Sequence, residues 1–248
     1  MHRPSLFPAL PSRALAARTA AVLILAATTV LTLSAPAQAA EAPAPADQTY
    51  SVAETRLFMT DHLSKLSNRA TVLQYRFTKS GSYEPGYEDK VTLEVAASDP
   101  KAQGGRSVNL EFLSGEHKTE LPALEGAKGN PVILGFLERD LREMKRITGG
   151  QPNYYRKRLR LAMVDTHELK PVMAKWGGKE VKAESMTLDP YKDDPARSRF
   201  GRFANKLYTF VLSDEVPGGV LSLKTVMRDG SNTGKIMIEE TLTLMEPK

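Results

Sequence analysis

The chain has 248 residues, with 34 Lys and Arg against 29 Asp and Glu, and no cysteine. The missing cysteine excludes disulfides, thiolate metal sites and a cysteine nucleophile. Residues 1–39 hold three Arg and no acid, so beyond them the balance is 31 to 29, without the strongly basic stripe that nucleic-acid binding needs.

Residues 20–33 (AAVLILAATTVLTL) are an unbroken apolar run, preceded by Arg3, Arg13 and Arg18 and followed by Ala37-Gln38-Ala39. A basic start, a short apolar stretch and an A-x-A site are the pattern of a secretory signal. The run is short for a spanning helix, which needs roughly 20 apolar residues. The pattern predicts cleavage after Ala39, a periplasmic address and no stable membrane anchor after processing. Residues 40–50, rich in Pro and Ala, read as a flexible linker. That leaves 51–248 as a single domain, enough for one substantial core.

Ser51-Val-Ala-Glu54 fits a capping box, and Val52, Met59, Leu63 and Leu66 follow at near-helical spacing, predicting a helix over 52–68. Alternation then takes over. Leu73, Tyr75 and Phe77, then Val91, Leu93 and Val95, then Val108, Leu110 and Phe112 each oppose polar neighbours, predicting antiparallel strands with one wet face. Asn130 and Pro131 open a helix predicted over 131–147, whose apolar stripe is Ile133, Phe136, Leu137, Leu141, Met144 and Ile147, ended by Gly149-Gly150. Glu138, Arg139, Arg142, Glu143, Lys145 and Arg146 read as its wet side.

In YRKRLRLAM, Leu159, Leu161 and Met163 alternate with Arg156, Arg158 and Arg160, and the segment reads as a strand. Trp176-Gly-Gly-Lys-Glu reads as a turn between strands, 187–202 as a long polar loop, and 205–213, 219–228 and 234–245 as three closing strands. The expected fold is α+β and mainly β, a curved antiparallel sheet or half-barrel with an N-terminal helix and an inserted helix on its concave face.

Chemical motifs are sparse. There is no G-x-S-x-G elbow, no Walker loop and no H-E-x-x-H, because His167-Glu168 is followed by Leu-Lys-Pro. His62, His117 and His167 are far apart in sequence. Asp189, Asp193 and Asp194 lack the spacing and the glycine of a calcium loop. No metal and no cofactor is expected. Arg156, Lys157, Arg158 and Arg160 are the strongest local charge signal, able to meet an anionic group, or simply to line the wet face of a strand.

A curved sheet under one helix either packs solid or encloses an apolar cavity. The cavity's candidate lining is Leu73, Tyr75, Phe77, Leu93, Leu110, Phe112, Ile133, Phe136, Leu137 and Met144.

The arrangement resembles the periplasmic lipoprotein-carrier superfamily, the LolA/LolB/LppX-like half-barrels. The phrases FLERDLREM (136–144), TLDPYKDDPARSRF (187–200) and LSDEVPGG (212–219) also look like those of exported bacterial proteins of related build. The resemblance implies an incomplete barrel whose concave face, lidded by helices, shelters acyl chains. It has no clear counterpart of that family's arginine lock, and the 187–202 loop is long for it. Three readings stay open: a non-enzymatic binder or carrier of a hydrophobic molecule or acyl chain, a cell-envelope interaction or assembly factor with a solid core and a protein partner, and an enzyme without a recognisable motif.

Overall fold

The structure, a computed structural model, describes residues 49–99 and 104–246. The predicted leader, the cleavage site and the linker as far as Gln48 lie outside the described residues. Within them run nine strands: β1 Thr71–Ser80, β2 Tyr87–Val95, β3 Arg106–Phe112, β4 Leu124–Ala127, β5 Lys170–Trp176, β6 Lys179–Leu188, β7 Asn205–Leu212, β8 Val220–Arg228 and β9 Ile236–Leu244. They form one sheet in the order β4-β3-β2-β1-β9-β8-β7-β6-β5, antiparallel throughout. The fold is α+β and mainly β, an open half-barrel with β4 and β5 as free edges.

The register explains why one face is apolar. Leu73 pairs with Leu93, which pairs with Leu110, and Tyr75 pairs with Val91, which pairs with Phe112. On the other wing Leu242 pairs with Leu223, and Leu223 with Phe210. All of these are buried in one cluster with the helices. Each such side chain contributes on the order of 1.5–3 kcal/mol on leaving water. The edge strand β5 carries Lys170, Pro171 and Lys175, residue types that discourage a further strand from pairing there.

The inserted helix is α2, Val132–Thr148. It starts one residue later than the spacing suggests, but Asn130 does cap it, its Oδ1 accepting the Val132 N–H at 3.1 Å. Gly149, at φ 72°, ends it in the left-handed region that glycine tolerates.

Three expected elements differ from the structure. The segment read as a strand is a helix, α3, Pro152–Val164. Tyr155, Leu159 and Met163, four residues apart, are buried while Leu161 is exposed, which is helical periodicity. Nine residues of alternating Leu and Arg mimic a strand, but Pro at the first helical turn and the absence of β-branched residues before Val164 favour the helix.

The N-terminal helix is also shorter than 52–68. The capping box forms, with Ser51 Oγ accepting the Glu54 N–H at 3.1 Å and Glu54 Oε2 accepting the Ser51 N–H at 3.0 Å. However, α1 is only Val52–Glu54, followed by one π-helical turn, Thr55–Met59, before Thr60 turns extended. Beyond that break the Leu63 N–H is taken by Lys128 O at 3.1 Å, a contact from outside the segment that replaces helix bonding.

Finally, 187–202 is not a solvated loop. β6 reaches Leu188, two short 3₁₀ turns separated by a kink at Gly201 cover Arg197–Ala204, and Tyr191, Asp194 and Phe200 are buried.

Candidate functional site

The placement of α2 on the sheet is fixed at its start by Asn130. Its Nδ2 donates to Tyr75 Oη at 2.9 Å and to Gly218 O at 2.8 Å, while its backbone N–H donates to His62 Nδ1 at 3.1 Å. His62 Nε2–H in turn donates to Arg56 O at 2.9 Å. With both ring nitrogens used and the ring buried, His62 is held below its ordinary acidity value, chiefly by desolvation. One turn on, Gly135 lets the helix approach β3. A Cβ there would lie 2.6 Å from the Phe112 ring.

The first half of α2 separates two apolar grooves. One, about 340 Å³, runs between α1, α2 and α3, with Tyr50, Phe58, Leu137, Leu141, Leu159 and Met163 in its walls. The other, about 240 Å³, lies between α2 and the β3–β4 region, with Val108, Leu110, Leu121, Pro122, Leu124 and Pro131 in its walls. Leu134 and Glu138 border both. Leu134 is 49% exposed, an apolar side chain on the ridge where the grooves meet. Four charged residues join this lining, Arg156 and Arg160 of α3, Glu138 of α2 and the buried Glu54 of α1. Arg156 pairs with Glu138 at 2.8 Å and Arg160 approaches Glu54 at 3.6 Å.

The second half of α2 is held by charge. Lys79 of β1 meets Glu143 at 2.7 Å, Glu240 at 3.6 Å, and Glu84. Arg139 pairs with Glu240 at 2.8 Å, donates to Tyr87 Oη at 3.0 Å and lies over the Phe77 ring at 4.7 Å. Burial alone would raise the Glu143 carboxyl, but hydrogen bonds from Arg146 and Lys79 outweigh it and hold the group well below the usual carboxylate range. A polar cleft of about 580 Å³ opens beside this cluster, with Tyr87 and His117 stacked at 3.8 Å on its wall. Arg139 and Glu143, expected on the wet side of the helix, are therefore buried.

Of the ten residues proposed from sequence to line a cavity, Leu110 and Leu137 border the two grooves. Leu73, Tyr75, Phe77, Leu93, Phe112, Ile133, Phe136 and Met144 pack in the core beneath. The three arginines separate. Arg156 and Arg160 reach the groove rim, whereas Arg158 turns under α3 to Pro190 O at 3.1 Å and Asp194 Oδ2 at 3.1 Å. Asp194 also accepts from Tyr154 Oη and from the Ala196 N–H, so it ties α3 to the 189–204 segment. Among the described residues no cluster of His, Asp and Glu has metal-binding geometry.

Sequence reasoning missed Leu134, Tyr50, Phe58, Leu121, Leu124, Leu159 and Met163 as groove residues. For Leu134 a signal existed, an apolar residue one turn from Glu138 and off the main stripe of α2. For Leu159 and Met163 the strand reading hid it.

Comparison with known proteins finds no matching family model and no matching curated protein. Among solved structures, the chain is similar to the Mycobacterium tuberculosis lipoprotein LppX, at 11% identity and a TM-score of 0.29 over 72% of this chain and 88% of that one. It is also similar to lipovitellin, in a structure described as showing lipid–protein interactions, at 11% identity and a TM-score of 0.25 over 74% of this chain and 25% of that one. A LolA superfamily protein from Nitrosomonas europaea follows, at 10% identity and a TM-score of 0.18 over 78% and 91%.

Proposed function

We propose that this protein is a non-enzymatic binder or carrier of a hydrophobic ligand, an amphiphile such as a lipid or an acylated molecule. The observation that carries this reading is the pair of apolar grooves meeting at Leu134, lined mainly by apolar side chains with a few charged groups paired among themselves. An apolar trough with a few convergent polar groups is the usual build of a small-molecule site. Burial of acyl surface there supplies affinity at about 25 cal/mol per Å² of apolar surface hidden, and Arg156 or Arg160 orients the polar end. On this reading residues 1–39 act as the export leader, the domain is 51–248, and the protein works in the periplasm.

One observation favours a second reading. All ten residues proposed for a cavity are buried in the core cluster and eight of them border neither groove, as a solid-cored envelope interaction factor requires. Purification without detergent, native mass spectrometry and organic extraction separate the two. The carrier reading expects a co-purifying lipid mass near one per chain, lost on extraction. Protein that is lipid-free and takes up no added fatty acid contradicts it.

A further inference from the structure

The outer side of α3 is not an ordinary solvated helix surface. With Tyr155, Leu159 and Met163 facing inward, the opposite stripe carries Lys157, Leu161 and Val164 at i, i+4 and i+7. Leu161 is 40% and Val164 43% exposed. Arg156, paired with Glu138 at 2.8 Å, and Arg160, 3.6 Å from Glu54, border this stripe on its groove side, the side chain of Arg160 being 71% exposed. Nearby, Tyr50 and Leu134 are exposed at the mouth of the groove that Arg156 and Arg160 border. Val52, also exposed, sits in α1, which packs against α3.

Exposed apolar residues gathered in one place mark an interaction surface. The cations among them narrow the partner. Apolar side chains that enter the headgroup boundary, ringed by Lys and Arg that meet lipid phosphates, are the build of an interfacial helix on an anionic bilayer. A second copy fits worse, because a twofold contact through this face would set Lys157 and the exposed head of Arg160 against their own copies.

We propose that the α3 face docks on an anionic membrane surface. Leu161 and Val164 enter the headgroup boundary, and Arg156, Lys157 and Arg160 meet the lipid phosphates. The contact is peripheral and reversible, and among the described residues no helix is long and apolar enough to cross a membrane. Because the groove opens beside Arg160, docking brings its mouth to the bilayer. An amphiphile then passes between membrane and groove without crossing water.

The chain has no cysteine, so Leu161→Cys and Val164→Cys each give one labelling site for an environment-sensitive fluorophore. Val72→Cys, exposed on the opposite face of the sheet, is the control. Vesicles of phosphatidylcholine with phosphatidylglycerol should shift the emission of both α3 labels to the blue and leave the control unchanged. Vesicles of phosphatidylcholine alone should do little. Lys157→Gln with Arg160→Gln should weaken partitioning roughly 25-fold, about fivefold per cation. The proposal is overturned if the α3 labels do not respond to phosphatidylglycerol, if the control responds equally, or if the double Gln variant partitions as the parent does. It is also overturned if sedimentation shows a dimer that Leu161→Ser abolishes while vesicles leave the labels unchanged. Vesicle docking is read independently of groove occupancy, so its failure would leave the binding function to its own test.

Discussion

Asp140 of α2 and Lys206 of β7 are each 1% exposed and form an ion pair beneath the helix, with Tyr208 Oη donating to the other carboxylate oxygen at 2.6 Å. Removing one partner leaves the other buried and uncompensated. Asp140→Ala should therefore cost about 3–5 kcal/mol, whereas Asp140→Leu with Lys206→Met should cost much less, about the 1–3 kcal/mol of the Tyr208 hydroxyl left without its acceptor. Urea unfolding of the single and double variants measures this. Equal losses in both would show that the pair itself is net stabilising.

Gly135 is predicted to resist replacement although it lies within a helix. Alanine would gain roughly 1 kcal/mol in helix propensity, but its Cβ would lie 2.6 Å from the Phe112 ring. Overpacking of this kind costs typically 1–3 kcal/mol. Gly135→Ala should lower the melting temperature, and a rise would mean that α2 is not seated closely on β3.

His62 makes stability depend on pH near neutrality. Its folded-state value is depressed below 6.5, so on acidification the unfolded chain takes the proton first. The His62 contribution is complete above pH 6.5, declines as pH falls toward the folded value, and is level below it. His62→Asn stays uncharged and should lose that slope. A slope unchanged in the variant would assign it to another group.

Glu143 acts in a lower window. Its carboxyl is held below the ordinary glutamate value of 4.5 by hydrogen bonds from Arg146 and Lys79, so its contribution is present above that value and is lost as pH falls below it. Glu143→Gln should flatten the acid limb of the stability profile. Guanidinium or urea titrations across the acid range read the difference directly.

Much of the sheet was legible because the alternation of Leu73, Tyr75 and Phe77 is long and bounded by turn residues. The inserted helix was legible from Asn130, Pro131 and Gly149. Two things were not. Leucines alternating with Arg over nine residues fit both periods, and only the Pro152 start signal separates them. The buried charges of α2 were hidden for another reason. Arg139, Asp140 and Glu143 look like solvent residues until Glu240, Lys206 and Lys79 are brought under the helix, a pairing set by strand order rather than by local sequence. The sequence pattern named Leu110 and Leu137, which border the grooves, and passed over Leu134, whose place on the ridge depends on how α2 sits between β3 and α3.

The most direct test of the central claim is a titration of a fluorescent fatty acid into the protein and into Leu134→Asp. A carboxylate on the ridge shared by both grooves leaves the core untouched, because Leu134 is half exposed, but opposes entry of an acyl chain. The binder account predicts saturable binding to the parent protein and a dissociation constant raised at least about tenfold, roughly 1.4 kcal/mol, in the variant, with the melting temperature preserved. Absence of saturable binding to the parent, or equal affinity in Leu134→Asp, would contradict it.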